Sequence, residues 1–259
     1  MHNTNIGKKM KITIGTENLR SCLKKFEAIQ QPYCYQSESV SLTTDKNTCT
    51  VFVTDGLISV VVVVPCHVET PGNVTVNYKK LLNLLSVLSN KVTLNHVEKN
   101  LQIKTDTGEY LILSDHFDEK PETIFREKNT FTLEGNILLE GISNTFFSAS
   151  TDETKTVLCG INLQIQGKLN TFCATNAHHL SEIKLDSEIS NPDRDLQISN
   201  KVCRLLLKLL SPQDKVSISL GQESYVKPDS EEVVTYEVTI LQFGETTLKY
   251  SLAYSGKFP

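Results

Sequence analysis

The sequence predicts an α+β fold made of two tandem copies of one domain, residues 1–120 and 121–259, each with antiparallel sheets outside and two helices on the inner face. Three observations carry this. First, the chain repeats itself at a spacing of about 120 residues. Ile12-Thr13-Ile14, with Leu19 and Leu23 behind it, is echoed by Phe131-Thr132-Leu133 with Leu138 and Ile142. Val53-Thr54-Asp55-Gly56 aligns with Ala174-Thr175-Asn176-Ala177. Val76 with Leu84, Leu85, Leu88 and Ser89 matches Ile198 with Leu206, Leu207, Leu210 and Ser211, and Lys91-Val92-Thr93-Leu94 matches Lys215-Val216-Ser217-Ile218. The spacing widens in small steps, as loop insertions make it do, and the four anchors keep their order. Second, 259 residues are long for one core and comfortable for two. Third, four helical patterns stand among many more strand patterns, without β-α-β alternation.

The first copy opens with strand Lys11–Gly15 and helix Thr16–Ile29, in which Leu19, Leu23 and Phe26 share a face. Strands at Val40–Thr44, Cys49–Thr54 and Leu57–Val64 follow. The scheme restarts with strand Asn73–Val76, helix Asn77–Leu88 and strands Val92–His96, Leu101–Thr105 and Tyr110–Leu113. Apolar alternation on both sides of Asp106-Thr107-Gly108 marks a hairpin. The polar stretch Ser114–Asn129, with Pro121, is expected to connect the copies. The second copy repeats the order: strand Thr130–Leu133, helix Gly135–Phe147, strands Leu158–Ile165 and Leu169–Ala174. It restarts with strand Leu196–Ile198, helix Ser199–Leu210 and strands Val216–Leu220, Val233–Leu241 and Thr246–Ala253.

Composition is that of an ordinary globular protein, 39% hydrophobic and 22% charged. The longest apolar run, Val60–Val64, is strand-sized and far short of the roughly 20 residues a membrane span needs. No signal-peptide pattern follows Met1, so a cytoplasmic location without membrane contact is expected. The seven cysteines contain no C-x-x-C pair, which points to reduced thiols rather than disulfides or zinc. The net charge of −4 excludes an overall basic protein but not a local basic surface.

Such a surface is written into the helices. Lys201, Arg204 and Lys208 form one stripe, opposite Val202, Leu205, Leu206 and Leu209. Arg20, Lys24 and Lys25 lie outside the apolar face of the first helix, and Lys79 and Lys80 open the second. A solvated outer face is the ordinary meaning of one such stripe. Its recurrence on three of four helices suggests a shared environment. The remaining helix, with Glu134 and Glu140 and no Lys or Arg, is the exception.

Three segments resemble the middle domain of bacterial DNA sliding clamps, the β subunit of the replicative polymerase, DNA polymerase III. They are Ile142-Ser-Asn-Thr145-Phe-Phe-Ser-Ala149, then Leu158-Cys-Gly160-Ile-Asn-Leu163, then Ala174-Thr-Asn-Ala-His178-His-Leu180. That family has an I-x-x-T-x-F-A-like helix, an L-x-G-v-x-L strand and an A-T-D-G-H-R-L segment in the same order. Ser255-Gly-Lys-Phe-Pro259 is similar to its G-[KR]-F-P segment. The resemblance implies DNA-clamp domains and a ring whose helices face duplex DNA without reading its sequence. It also implies DNA polymerase and clamp-loader subunits as partners, and a tethering role with no catalysis. The partner-peptide pocket it implies maps to Leu158, Thr175, His178, Leu180 and Pro259, with Ala177 and His179 at altered positions. Leu158 and Leu180 are equally compatible with plain core packing, and His178 and His179 with a surface turn.

Two departures stand out. The A-T-D-G-H-R-L pattern becomes Ala174-Thr-Asn-Ala-His-His-Leu180, losing an acid, a glycine and an arginine. The sequence also ends where the family's third domain begins. Two alternatives follow: a ring of three two-domain copies, set ahead of a monomer, or a truncated form acting as a decoy or interaction module. No site for catalysis, cofactor or metal is expected. Cys173 with His178 or His179 lacks a third partner, and no nucleotide-binding glycine motif or ligand spacing occurs.

Overall fold

Ile12 and Ile14 alternate with Lys11 and Thr13, and that period of two makes β1 (Lys11–Gly15) a strand with one buried face. The computed structural model describes residues 9–30, 38–115, 124–227, 232–251 and 258. The chain divides into two compact units, Met1–Lys120 and Pro121–Pro259.

In unit 1, β1 leads into α1 (Thr16–Lys25), which tightens into a 3-10 turn at Phe26–Ala28. Then come β2 (Ser39–Asp45), β3 (Thr48–Thr54), β4 (Ile58–Pro65), β5 (His67–Thr70) and β6 (Asn73–Asn77). The second half continues with α2 (Tyr78–Val87), β7 (Lys91–Val97), β8 (Asn100–Lys104) and β9 (Glu109–Leu113). The Asn77 side chain caps α2 by accepting from the Lys80 amide at 3.0 Å. The strands form two antiparallel layers, ordered β5-β1-β7-β8-β9 and β4-β3-β2-β6. The halves exchange their opening strands: β1 pairs with β7 (Ile12↔Leu94) and β6 with β2 (Val40↔Val76). Each half therefore completes the other's sheet, and neither can bury its apolar face alone. The two helices pack on each other, with Leu19, Leu23 and Phe26 of the first helical segment and Leu81 and Leu85 of α2 fully buried. Tyr78 is buried with its hydroxyl donating to the Leu23 carbonyl at 2.7 Å, which satisfies the one polar atom of a large core side chain.

Unit 2 repeats this plan. Its elements are β10 (Ile124–Glu134), α3 (Gly135–Thr145) with a 3-10 turn at Phe146–Ser148, and a 3-10 segment at Glu153–Leu158. They continue with β11 (Gly160–Thr175), β12 (Leu180–Ser199), α4 (Asn200–Leu209), β13 (Lys215–Val226), β14 (Val233–Phe243) and β15 (Thr246–Tyr250). The exchange recurs, with β10 on β13 (Phe131↔Ile218) and the end of β12 on the start of β11 (Ile161↔Ile198). Gly141 on α3 faces the Phe172 ring so closely that a Cβ there would lie 2.4 Å from it, so this helix seats on the sheet only with glycine.

Three strand assignments differ from the sequence expectation. Ile124–Asn129, expected as connection, is the first half of β10. Its register with β13 runs through charged Arg126 and Glu127, so backbone pairing rather than apolar alternation makes the strand. β5 and most of β12 were likewise without a sequence signal. In β12 the register against β11 slips around Gly167, from Ile165↔Arg194 to Leu169↔Asp186. The surplus residues are held by Glu134, whose carboxylate accepts from the Glu188 and Ile189 amides at 3.0 and 3.2 Å and from the Ser187 hydroxyl. Beside it, the Asn191 amide both donates to the Thr132 carbonyl (2.7 Å) and accepts from the Thr132 N–H, as a strand residue would. Burial works to raise the Glu134 pKa, but the donors from Ser187, Ile189 and Glu188 outweigh it and hold the carboxyl below its ordinary value.

Candidate nucleic-acid interface and partner-docking turn

Two of the helices carry lysines in their first turns. Lys79 and Lys80 are exposed in the first turn of α2, and Lys201, half-exposed, lies in the first turn of α4. Neither turn contains an acid. The N-terminal end of a helix carries partial positive charge, so each cation there costs about 0.3–1 kcal/mol. An anion lying outside the protein would reverse that sign. Lys24 and Lys25, by contrast, are exposed in the last turn of α1, where the helix itself favours them.

Arg204 and Lys208 continue the α4 stripe and are exposed, while Val202, Leu205, Leu206 and Leu209 on the opposite face are buried, as the sequence predicts. The Arg204 guanidinium stands over the Phe146 ring, 5.9 Å from its centroid. Arg20 is placed differently from the sequence expectation. It is half-buried, paired with Glu17, and donates to the Ser86 carbonyl at the end of α2 at 3.3 Å. The reason is geometric: α2 ends beside it, and a carbonyl at a helix C-terminus attracts a cation.

The turn between β11 and β12 is a closed hydrogen-bonded unit. The Thr175 hydroxyl donates to the His179 carbonyl (2.7 Å) and accepts from the Ala177 amide (3.1 Å), while Asn176 Oδ1 accepts from the His178 and His179 amides at 2.9 and 2.8 Å. Unit 1 builds the same turn between β3 and β4. Thr54 donates to the Ile58 carbonyl (2.9 Å) and accepts from Gly56 N–H (3.0 Å), and Asp55 Oδ1 accepts from Leu57 and Ile58 at 3.1 and 2.8 Å. The Thr54/Thr175 anchor of the sequence repeat is thus a repeated structure. Both turns need a left-handed residue: Gly56 has φ 94° and Ala177 φ 74°. The glycine missing from the sequence pattern is therefore replaced at a position where φ is positive.

Of the pocket residues, Ala177, His178, His179 and Leu180 are exposed, Leu180 at 68%, so Leu180 is not core. Thr175 and Leu158 are half-buried, the latter ending the 3-10 segment Glu153–Leu158. Pro259 and Ser255–Lys257 lie outside the described residues. A Ser148–Ser181 hydroxyl contact of 2.6 Å joins the turn after α3 to the residue following Leu180. Next to it stands Phe147, 75% exposed, which sequence reasoning counted only as the helix end. The Cys173 thiol is pushed above its ordinary pKa, by burial first and then by the Glu182 charge, which disfavours the thiolate a nucleophile needs. Among the described residues no group of His, Cys, Asp and Glu side chains is placed to hold a metal, and no helix is long and apolar enough to cross a membrane.

Comparison with known proteins falls on this arrangement. Residues 132–242 match the family model of the DNA polymerase III beta subunit, central domain. The beta sliding clamp of Synechococcus elongatus is 29% identical over 136 residues, 51% of this chain and 36% of that protein. The beta sliding clamp of Halalkalibacterium halodurans is 27% identical over 200 residues, 74% of this chain and 49% of that protein. The chain thus spans about half or less of these curated relatives. Among solved structures, the DNA polymerase sliding clamp of Bacillus subtilis superposes with a TM-score of 0.80 at 18% identity, covering 97% of this chain and 66% of that one. The Pseudomonas aeruginosa sliding clamp bound to griselimycin gives 0.78 at 23%, with the same coverage. The fold of both units is the clamp fold, and the chain is similar to bacterial beta sliding clamps, its residues 132–242 matching the central domain of the DNA polymerase III beta subunit.

Proposed function

We propose that this chain is a non-catalytic, sliding-clamp-like processivity factor that contacts duplex DNA without reading its sequence and tethers polymerase or repair proteins to it, in the cytoplasm. The observation that carries the DNA contact is the set of lysines in helix first turns, Lys79, Lys80 and Lys201. They oppose their own helix dipoles, and an external phosphate relieves that cost. Lys24, Lys25, Arg204 and Lys208 extend the same chemistry, with Arg20 in a supporting place at the α1–α2 contact. The names of the relatives, sliding clamps and polymerase subunits, support the reading. So does the identity of the side chains, since Lys and Arg tips on helix faces meet phosphates rather than base edges.

Partner peptides are assigned to the turn Thr175–Leu180 with Leu158 and Pro259, and clamp-loader subunits to the same class of contact. Assembly is assigned to strand edges. Among the described residues β9 has β8 as its one sheet neighbour, and Leu111 and Leu113 on it are 63% and 62% exposed. Such an edge favours pairing with another copy. Three copies of two units supply a closed six-domain ring, and light scattering over a concentration series tests it: a trimer supports the ring, and a strict monomer or a dimer overturns it.

For DNA, replacing Lys201, Arg204 and Lys208 together with Ala should flatten the dependence of log K on log salt by about 2.7, three phosphate contacts at about 0.9 each. The effect should be equal on unrelated duplex sequences, with thermal stability kept. An unchanged slope would leave these side chains as a solvated face. Loss of stimulation of a polymerase loaded with clamp loader would accompany the expected result.

A further inference from the structure

We propose that Phe146 is a positioning residue for the DNA contact, holding the Arg204 guanidinium in place for a phosphate; this rests on the DNA reading above. The two units show the same construction. In each, an arginine at the fifth position of one helix reaches the C-terminal end of the other helix in its pair. In unit 1 it is Arg20, which donates to the Ser86 carbonyl at the end of α2 and pairs with Glu17. In unit 2 it is Arg204, over the ring of Phe146, the residue that follows α3.

The consequences for an incoming anion are opposite. Arg20 is half-buried and its charge is shared with a carboxylate and a carbonyl, so little is left for a phosphate. Arg204 is exposed, and a ring face takes up none of the guanidinium's N–H groups. Contact with the ring restricts the side chain's rotamers before the anion arrives, so less entropy is lost on binding. The cation is thus held in place and its donors are kept for the ligand. Lys201 and Lys208, one turn before and after it on the stripe, end in ammonium groups, which have no planar face to lay on a ring. Phe146 itself is half-exposed, so the ring is not there simply to fill the core.

The test is binding of the full chain to a labelled linear duplex at low salt, with Arg204→Ala, Arg204→Lys, Phe146→Leu and Phe146→Tyr, each also assayed for thermal unfolding. Arg204→Ala should lower the salt slope by about 0.9. Phe146→Leu should weaken binding about two- to fivefold, the size of an exposed cation–π contact, and have no further effect in the Arg204→Ala background. Phe146→Tyr, which keeps a ring, should bind like the parent protein, and Arg204→Lys should bind more weakly, because lysine lacks the planar donor fork. If Arg204→Ala changes nothing, the DNA reading at this residue is wrong. If Arg204→Ala acts but Phe146→Leu and Arg204→Lys bind like the parent protein, the DNA reading stands and the positioning role is overturned. A Phe146→Leu variant that loses stability yet binds normally per folded molecule would also overturn it.

Discussion

Exchanging the residues at the left-handed positions of the twin turns should move stability in opposite directions. Gly56 and Ala177 occupy the same place in the same hydrogen-bonded unit, at φ 94° and 74°. A side chain in this region sets Cβ against the following carbonyl, at about 1–2 kcal/mol for an alanine. Glycine avoids that cost but gains freedom in the unfolded chain worth about 0.4–1 kcal/mol. The difference leaves about 1 kcal/mol in favour of glycine at both sites. Ala177→Gly should therefore stabilise unit 2, and Gly56→Ala destabilise unit 1, each by about that amount. With an m-value of about 2 kcal/mol/M in urea, each midpoint should move by about 0.5 M in its own direction, with m unchanged. Urea titration followed by hydrogen exchange of amides in each unit reads both transitions. The Asx and Thr hydrogen bonds involve backbone amides and other side chains, so neither substitution removes one. Should Ala177→Gly prove neutral or destabilising while Gly56→Ala destabilises, left-handed strain is not what distinguishes the two turns, and the reasoning fails.

Three further outcomes are expected. Glu134 has a folded pKa below its ordinary value of 4.5, so the native state binds fewer protons than the unfolded one; its contribution is complete above about pH 4.5 and disappears as pH falls through the lowered pKa, and Glu134→Gln should flatten the acid limb of a stability–pH curve. Glu223 is 5% exposed and receives Lys249 Nζ at 2.8 Å and the Tyr236 hydroxyl at 2.7 Å, so Lys249→Met should cost about 3 kcal/mol in urea unfolding and the double variant with Glu223→Leu should recover most of it. Leu180→Ala, at an exposed position, should change stability by no more than about 0.5 kcal/mol while weakening capture of a clamp-binding peptide in a fluorescence-polarisation titration.

The internal repeat, the four helices and the buried sides of most strands were legible in the sequence, because apolar periodicity is a local property and the fold satisfies it locally. Leu19, Leu23 and Phe26, or Val202, Leu205 and Leu206, are spaced to be buried whatever they pack against. The basic stripe of α4 was legible for the same reason, and so was the Thr54/Thr175 turn, whose hydrogen bonds lie within a few residues. Ile124–Asn129 and the middle of β12 were not. Their side chains are polar, and they are strands because distant backbone, in β13 and β11, offers them partners. Glu134 looked like an acid on a helix without bases; only the approach of Ser187, Glu188 and Ile189 from over fifty residues away gives its carboxylate a task. Arg20 and Arg204 look equivalent along the chain, and the tertiary structure separates them, tying one to Glu17 and the end of α2 and laying the other over Phe146. Periodicity along the chain determines which face of an element is buried, whereas a polar side chain's partner depends on what the fold brings beside it.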